Sequence, residues 1–394
     1  MARRANRKGR GSRPARLRGE GVGSLPALSS LQDLPTLGEL HATPPQLRAF
    51  EEASCDAVRE LGEGASPAIG CVVRLDRGYP AVATEGGLVR AEFAASLTKA
   101  EFSRVAVGDW VCVLVPQGHD MAIIRQILPR ESDIARWRGG SRGERQTLAA
   151  NVDTVLVAQA LGASGVDVDR IARSAVIALD CGASVAVVLT KADRAGADGL
   201  ARSISSVRAV LGDQIPVVAC CAGADEGIGD LPNVALGSGA GWGTEGVRAL
   251  VPPGSIAIVL GESGAGKSTL LNALLGHEVL QTGSVRASDD AGRHTTVARR
   301  MVSLPNAGVI VDEPGLRSLP LIGHERGLAK LFPRVAQAAG ECRFRDCTHT
   351  HEPGCAVRDL ADSGEVPPER VETYVSLASE MRASAAELDP DVTL

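Results

Sequence analysis

The stretch Gly261-Glu262-Ser263-Gly264-Ala265-Gly266-Lys267-Ser268-Thr269 decides how this chain of 394 residues reads. It satisfies the pattern G-x-x-x-x-G-K-[ST] in the setting that pattern needs, with an apolar, strand-like run at 255–260 before it and helical spacing at 269–275 after it. Glycines at these offsets let the backbone turn so that successive N–H groups converge on phosphate oxygens. The start of the following helix adds its partial positive charge. Lys267 is expected to reach the β- and γ-phosphates of a nucleotide, and Ser268 to ligate Mg2+. A ligand-free glycine-rich turn is the plain alternative, and the complete pattern in this setting argues against it.

Around this loop the chain alternates apolar runs with helical spacing. Residues 152–158, 184–189, 216–220, 255–260 and 308–311 are strand candidates, and residues 168–179 a helix candidate. Such alternation implies an α/β domain with a parallel sheet covered on both faces, the glycine-rich stretch 237–246 being a loop between two of its units. Further upstream, residues 68–75, 87–93, 110–115 and 121–128 read as short strands punctuated by Gly78, Gly86, Gly87, Gly108 and Gly118. They predict a small β-barrel or sandwich, and an oligonucleotide-binding barrel fits the size. Residues 131–147, with Arg136, Arg138, Arg142 and Arg145, read as a basic link. The expected organisation is a basic tail over 1–48, a barrel over 49–130, the α/β domain over 145–323, and a helical subdomain over 324–394 that ends in a helix near 368–388.

Composition sets the class. Hydrophobic residues at 44% and charged residues at 23% suit a globular chain able to bury a core, and aromatics at 3% leave that core to Val, Leu, Ile and Ala. A net charge of −5 predicts no overall attraction to polyanions, but Arg3, Arg4, Arg7, Lys8, Arg10, Arg13, Arg16 and Arg18 make a basic arm attracted to nucleic acid or a solubilising tail. No apolar core follows that arm and no run reaches the roughly 18 apolar residues of a membrane span, so neither secretion nor a membrane is expected. Cys55, Cys71, Cys112, Cys181, Cys220 and Cys221 are scattered and expected to be reduced and buried. Cys342, Cys347 and Cys355 cluster with histidines, a cytosolic pattern that favours metal over disulfides.

The phosphate loop alone does not separate GTP from ATP, or a switch from a kinase. Asp312-Glu313-Pro314-Gly315 follows an apolar strand, so Asp312 is placed to hold the Mg2+ shell and the Gly315 N–H to sense a γ-phosphate. Thr190-Lys191-Ala192-Asp193 follows another buried strand, where ligands bind in open parallel sheets. The Asp193 carboxylate can accept from guanine N1–H and the exocyclic amine, a donor pair adenine lacks, and the Lys191 stem can lie over the base. Cys221 and Ala222 stand where a further base-contacting Ser-Ala pair is common. These base-reading segments precede the phosphate loop instead of following it, giving the motif order 4-5-1-2-3 of a circular permutation.

With that order, the chain resembles the ribosome small subunit-dependent GTPase A family over roughly residues 66–385. The resemblance rests on Thr190–Asp193, residues 261–269, Gly292-Arg293-His294-Thr295-Thr296, Asp312–Gly315, and Cys342-Arg343-Phe344-Arg345-Asp346-Cys347-Thr348-His349. It implies a GTPase that acts in late maturation of the small (30S) ribosomal subunit, is stimulated by that subunit, contacts its 16S-type rRNA through the barrel, cycles between GTP and GDP, and is a cytoplasmic monomer. It further points to His294 as the residue that orients the attacking water, because Leu316 stands where many GTPases carry glutamine. Thr296, with Thr295 second, is the candidate for the switch threonine on Mg2+ and γ-phosphate. Thr190 in place of Asn, Cys221 in place of Ser, and Glu313 in place of a small hydroxyl residue depart from the family pattern.

Cys342, Cys347, His349 and Cys355 offer three thiolates and one imidazole, a set suited to one closed, structural, tetrahedral zinc, with His351 the nearest substitute ligand. Two competing readings remain at this stage: a phosphotransferase acting on a small acceptor, for which no acceptor motif is visible, and an RNA-binding protein whose nucleotide is structural, against which Lys267, Ser268 and Asp312 argue.

Overall fold

The computed structural model describes residues 25–62, 66–76, 79–94, 97, 105–115, 121–138, 144–162, 165–222, 224, 228–278, 299–313 and 321–386. The chain divides into two units, Met1–Gln32 and Asp33–Leu394. In the smaller one the described residues form a single 3-10 turn, Leu28–Ser30, closed by the Leu31 N–H on the Leu28 carbonyl. Everything below concerns the larger unit.

Five strands coil into a closed barrel: β1 (Pro67–Asp76), β2 (Tyr79–Thr84), β3 (Gly87–Phe93), β4 (Trp110–Leu114) and β5 (Ala122–Ile127). They pair in the order β1-β2-β3-β5-β4, and β4 returns to β1. Only β3 and β5 run parallel. Inward residues Val72, Val82, Ala91, Val111, Val113 and Ile124 fill the interior. Gly70 is required by a close approach, since a Cβ there would meet Val82 Cγ1 at 2.5 Å and the Ala83 carbonyl at 2.9 Å. The strand β2 was not foreseen.

The helix α1 (Pro44–Leu61) packs on β1 and β4, and begins with a reciprocal cap between Thr43 and Gln46. Gln46 is buried and also donates to the Pro129 carbonyl and to Asn151 Oδ1, each at 3.0 Å. Thus the expectation of tail up to residue 48 is corrected for its last part, because Leu34, Leu37 and Leu40 pack on the main core. That segment is extended chain with one short 3-10 turn, Leu37–Glu39, so it carries no helical or strand period to detect.

Residues 131–147 are likewise more than a link. They supply most of a hairpin of β6 (Asp133–Arg138) and β7 (Glu144–Ala150), with Ile134, Leu148 and Ala149 buried. Arg130 locks it to the barrel by donating to both carboxylate oxygens of the fully buried Asp109, at 2.7 and 2.8 Å, and to Thr147 Oγ1 at 2.7 Å. Four arginines and three glycines among residues 131–147 interrupt the alternation in the sequence.

The remaining strands form a seven-stranded sheet section in the order β11 (Gly241–Trp242), β10 (Val217–Ala219), β9 (Ser184–Thr190), β8 (Thr154–Ala160), β12 (Ile256–Leu260), β14 (Val309–Asp312), β13 (Arg299–Ser303). All neighbours are parallel except β13, which runs antiparallel to β14. Its other edge pairs antiparallel with β1, so barrel and parallel sheet are one hydrogen-bonded surface. β11 and the start of the next helix lie inside residues 237–246, which were read as a loop. A two-residue edge strand is too short for any period to announce it.

Helices cover both faces, as expected. Val155 and Val157 of β8 face a core shared with α2 (Val168–Asp180) and α3 (Gly196–Leu211), the latter unforeseen. Leu156 faces the other core, with α5 (Gly243–Ala249) and α6 (Lys267–Leu275), while α4 (Leu231–Gly237) packs beside α3. Each such fully buried Val or Leu contributes about 1.5–3 kcal/mol. The C-terminal helices are α7 (Glu325–Leu331), α8 (Pro333–Gly340), α9 (Ala356–Ser363) and α10 (Pro368–Ala386). Where α7 crosses α2, a Cβ on Gly327 would stand 2.0 Å from the Val176 carbonyl, and the Gly327 N–H donates to Asp180 Oδ1 at 3.0 Å. Of the scattered cysteines expected inside, Cys71, Cys112 and Cys220 are buried, Cys181 and Cys221 half-buried, and Cys55 exposed on α1.

Candidate nucleotide site and metal centre

Because β8, β9, β10, β12 and β14 are parallel, the loops leaving their C-terminal ends gather at one edge of the sheet, the usual place for a ligand in this architecture. The phosphate loop leaves β12 and enters α6, whose first residue is Lys267. Gly264 and Gly266 hold left-handed φ values of +85° and +81°, and a Cβ on Gly266 would press to 3.3 Å from Thr190 Oγ1. The Lys267 ammonium donates to the loop carbonyls of Gly261 and, at 2.7 Å, Glu262. Ser268 and Thr269 stand in the first turn of α6, where backbone N–H groups have no helical acceptor. Arg170 at the start of α2 pairs with Glu262 at 2.7 Å, a support that sequence reading missed.

The loop at residues 190–193 comes to lie against the loop at residues 261–266. The Thr190 hydroxyl is buried and donates to the Ala265 carbonyl at 2.7 Å, while Lys191 Nζ donates to the Gly264 carbonyl at 2.6 Å. Lys191 itself is left-handed, φ +55°, which turns Ala192 inward to bond the Cys220 carbonyl at 3.3 Å and leaves Asp193 exposed. The same contact brings Cys221 and Ala222 beside this loop. Threonine at position 190 therefore ties the two loops together.

On the far side of β12, Asp312 ends β14 and Glu313 follows it. The sheet register sets Arg300 of β13 opposite Asp312, and their side chains approach to 3.7 Å. On the opposite face Arg299 pairs with Glu313 at 2.9 Å, and the Glu313 side chain is 5% exposed. The departure at Glu313 thus has a partner on the neighbouring strand. Period-two alternation places Arg299 and Arg300 on opposite faces, but only the register reveals which acid each meets. His294, Thr295, Thr296 and Gly315 lie outside the described residues.

In the C-terminal subdomain, the Sγ atoms of Cys342, Cys347 and Cys355 and one ring nitrogen of His349 all lie within 4.8 Å of one another. The pairs Cys342 Sγ–His349 Nδ1 and Cys355 Sγ–His349 Nδ1 are each 3.5 Å apart, and Cys342 Sγ–Cys355 Sγ is 3.9 Å. A tetrahedral cation with sulfur bonds of about 2.3 Å needs edges of about 3.8 Å, so the four groups fit a metal ion. Burial and the neighbouring thiols push the Cys347 thiol up to about 12, a cost that a central cation removes by favouring thiolates. Burial and the Arg382 charge, against the opposing charge of Glu352, hold the His349 imidazole below its ordinary value, a shift toward the neutral form that a ligand needs. His349 adopts φ +65°, in a loop fixed by Glu352, which accepts from the Thr348, Thr350 and His351 N–H groups at 2.9, 3.1 and 3.2 Å. The exposed His351 points instead to Thr350 Oγ1 at 2.9 Å and takes no part in the cluster. Tyr374 of α10 packs between His349 and Phe332, tying the cluster to the core.

Residues 228–322 match the family described as RsgA GTPase. A "Small ribosomal subunit biogenesis GTPase RsgA" from Streptomyces avermitilis is 39% identical over 320 residues, which is 81% of this chain and 81% of that protein. A protein of the same name from Methanosarcina acetivorans is 36% identical over 76% of each chain. Among solved structures, YjeQ from Thermotoga maritima aligns with 80% of this chain and 99% of its own, at a TM-score of 0.57 and 22% identity. YloQ, described as a circularly permuted GTPase, aligns over 82% and 97%, at a TM-score of 0.54 and 16% identity. By its relatives at 36–39% identity over 76–83% of its length, this chain belongs to the RsgA family of GTPases and is a GTP hydrolase.

Proposed function

We propose that this GTPase acts in late maturation of the small ribosomal subunit, binding its 16S-type rRNA through the barrel and hydrolysing GTP faster when the subunit is bound. The observation that carries the nucleotide reading is the pair of hydrogen bonds from Thr190 and Lys191 to the phosphate-loop carbonyls of Ala265 and Gly264. They hold a carboxylate suited to guanine, Asp193, at a fixed distance from a phosphate cradle made by residues 261–269. The motif order 4-5-1-2-3, a barrel of the oligonucleotide-binding type, and the later divisions at 49–130, 145–323 and 324–394 belong to the same reading. The barrel's closure, with β3 and β5 parallel, supports its assigned type.

In this reading Ser268, Asp312 and Thr296 hold Mg2+, which when bound neutralises charge on the β- and γ-phosphates. Lys267 exchanges its loop carbonyls for phosphate oxygens, the Gly315 N–H senses the γ-phosphate, and His294 orients water. Cys221 and Ala222 line the base. Cys342, Cys347, His349 and Cys355 hold a single structural zinc, the ion that a thiolate-rich tetrahedral set selects. The protein works as a cytoplasmic monomer, and no described helix is long and apolar enough to cross a membrane.

The test is GTP and ATP hydrolysis by the purified protein, with and without small ribosomal subunits, beside His294→Ala. GTP-selective turnover, raised by subunits and reduced at least about 100-fold in the variant with GDP affinity retained, supports the reading. Turnover indifferent to subunits refutes the ribosomal assignment.

A further inference from the structure

One hydrogen-bonded row crosses the whole junction between the parallel sheet and the barrel. Going from β14 through β13, β1 and β2 to β3, the directly paired residues are Asp312, Arg300, Arg74, Ala81 and Arg90. Directly opposed residues of antiparallel strands share a face, with Cβ atoms about 5 Å apart. The row therefore sets the Arg300 and Arg74 side chains next to each other on one face of the seam, each of them mostly buried, at 17% and 16% exposure. Like charges so placed repel unless each has a counter-ion. Arg74 has one: it donates to both oxygens of Asp76 at 2.9 Å, and Arg90 holds the same carboxylate at 2.8 Å. Those two arginines hold the Asp76 carboxyl below the usual carboxylate range against the opposing effect of burial. For Arg300, the carboxylate placed opposite is Asp312, the residue assigned above to the Mg2+ shell.

We propose that Arg300 is a positioning residue which competes with Mg2+ for Asp312, and that Arg74 across the seam sets how strongly it competes. This rests on the reading of Asp312 as part of the magnesium site. When Mg2+ draws on the Asp312 carboxylate, Arg300 loses compensation and faces Arg74 with like charge. Metal loading then carries an electrostatic cost located at the junction with the barrel. The same linkage works in reverse: whatever relieves the Arg74–Arg300 repulsion favours metal loading. The coupling element is a fixed strand register between two charged side chains on adjacent strands.

Two measurements test this. In nucleotide-free, metal-ion-depleted protein (its C-terminal metal retained), Asp312→Asn mimics neutralisation of the carboxylate. Asp312→Asn and Arg74→Met are each expected to lower the melting temperature. Their combination is expected to lose at least about 2 °C less than the sum of the two, because the second change removes the repulsion the first exposes. The second measurement titrates Mg2+ against protein loaded with a fluescently labelled GDP, reading the half-saturating concentration. Arg300→Met is expected to lower it at least about threefold and Arg300→Lys to leave it near wild type. Arg74→Met/Arg300→Met is expected to match Arg300→Met alone. Additive melting losses, or a half-saturating concentration unmoved in Arg300→Met, would overturn the proposal. Failure to bind labelled GDP at any Mg2+ concentration would instead refute the nucleotide reading on which it rests.

Discussion

At the scale of single residues, Thr190, a departure from the family pattern, ties two loops of the site together. A hydroxyl is shorter than a carboxamide, yet from the end of β9 it reaches the Ala265 carbonyl at 2.7 Å because Gly266 leaves room beside it. Thr190→Val keeps the shape and removes the donor, leaving a buried carbonyl without that bond, at about 1–2 kcal/mol. GDP affinity should fall about 5- to 30-fold in a fluorescence or calorimetric titration, while Thr190→Ser stays near wild type. An unchanged affinity in Thr190→Val would show that Lys191 alone holds the two loops together.

Between elements, two junctions depend on ionised side chains. The Arg299–Glu313 pair joins β13 to the residue after β14, with Glu313 almost wholly buried. Glu313→Ala leaves the Arg299 guanidinium, a quarter exposed, without that partner and should cost about 1–3 kcal/mol, whereas Arg299→Met with Glu313→Met should recover most of the loss in thermal melts. At the other junction, Asp180 closes the end of α2 on the start of α7, with His324 at 3.1 Å and the Gly327 N–H at 3.0 Å. Although burial opposes it, the bonds from His324 and Gly327 and the charges of His324 and Arg326 hold the Asp180 carboxyl below its ordinary value. A carboxylate whose folded pKa is depressed stabilises the protein above its unfolded pKa, about 3.9, and that stabilisation is lost as pH falls through the folded value. Asp180→Asn should therefore be less stable than wild type at neutral pH, with the gap closing below about pH 4 in paired denaturation curves. A gap constant across pH would assign the effect to shape and not to charge.

For the whole molecule, the Cys342, Cys347, His349 and Cys355 cluster sits in a segment with little core of its own. Residues 341–355 contain no helix or strand, and Cys347 and Cys355 join the main core through Tyr374 and Phe332. Metal removal by a chelator should lower the melting temperature and expose α8–α10 to proteolysis, and elemental analysis should find one zinc per chain. Cys355→Ala should reproduce both effects. A chelated protein with an unchanged melting temperature would show that packing by α10 alone suffices.

The chain's own letters determined whatever depends on local geometry. The turn from β12 into α6 was legible because its backbone path uses glycine at set offsets, Gly264 and Gly266 both being left-handed. The Cys342, Cys347, His349 and Cys355 set was legible because few other residues ligate such a metal, and most parallel strands were legible as apolar runs. Tertiary structure decided the rest. The strand β13 begins with Arg299 and Arg300, which carry no apolar run, and it exists because β14 and β1 flank it on both edges. That pairing fused barrel and sheet, gave Glu313 its partner and set Arg300 against Arg74. The physical reason is that a strand's partner and register follow from long-range hydrogen bonding and burial, which local sequence does not encode.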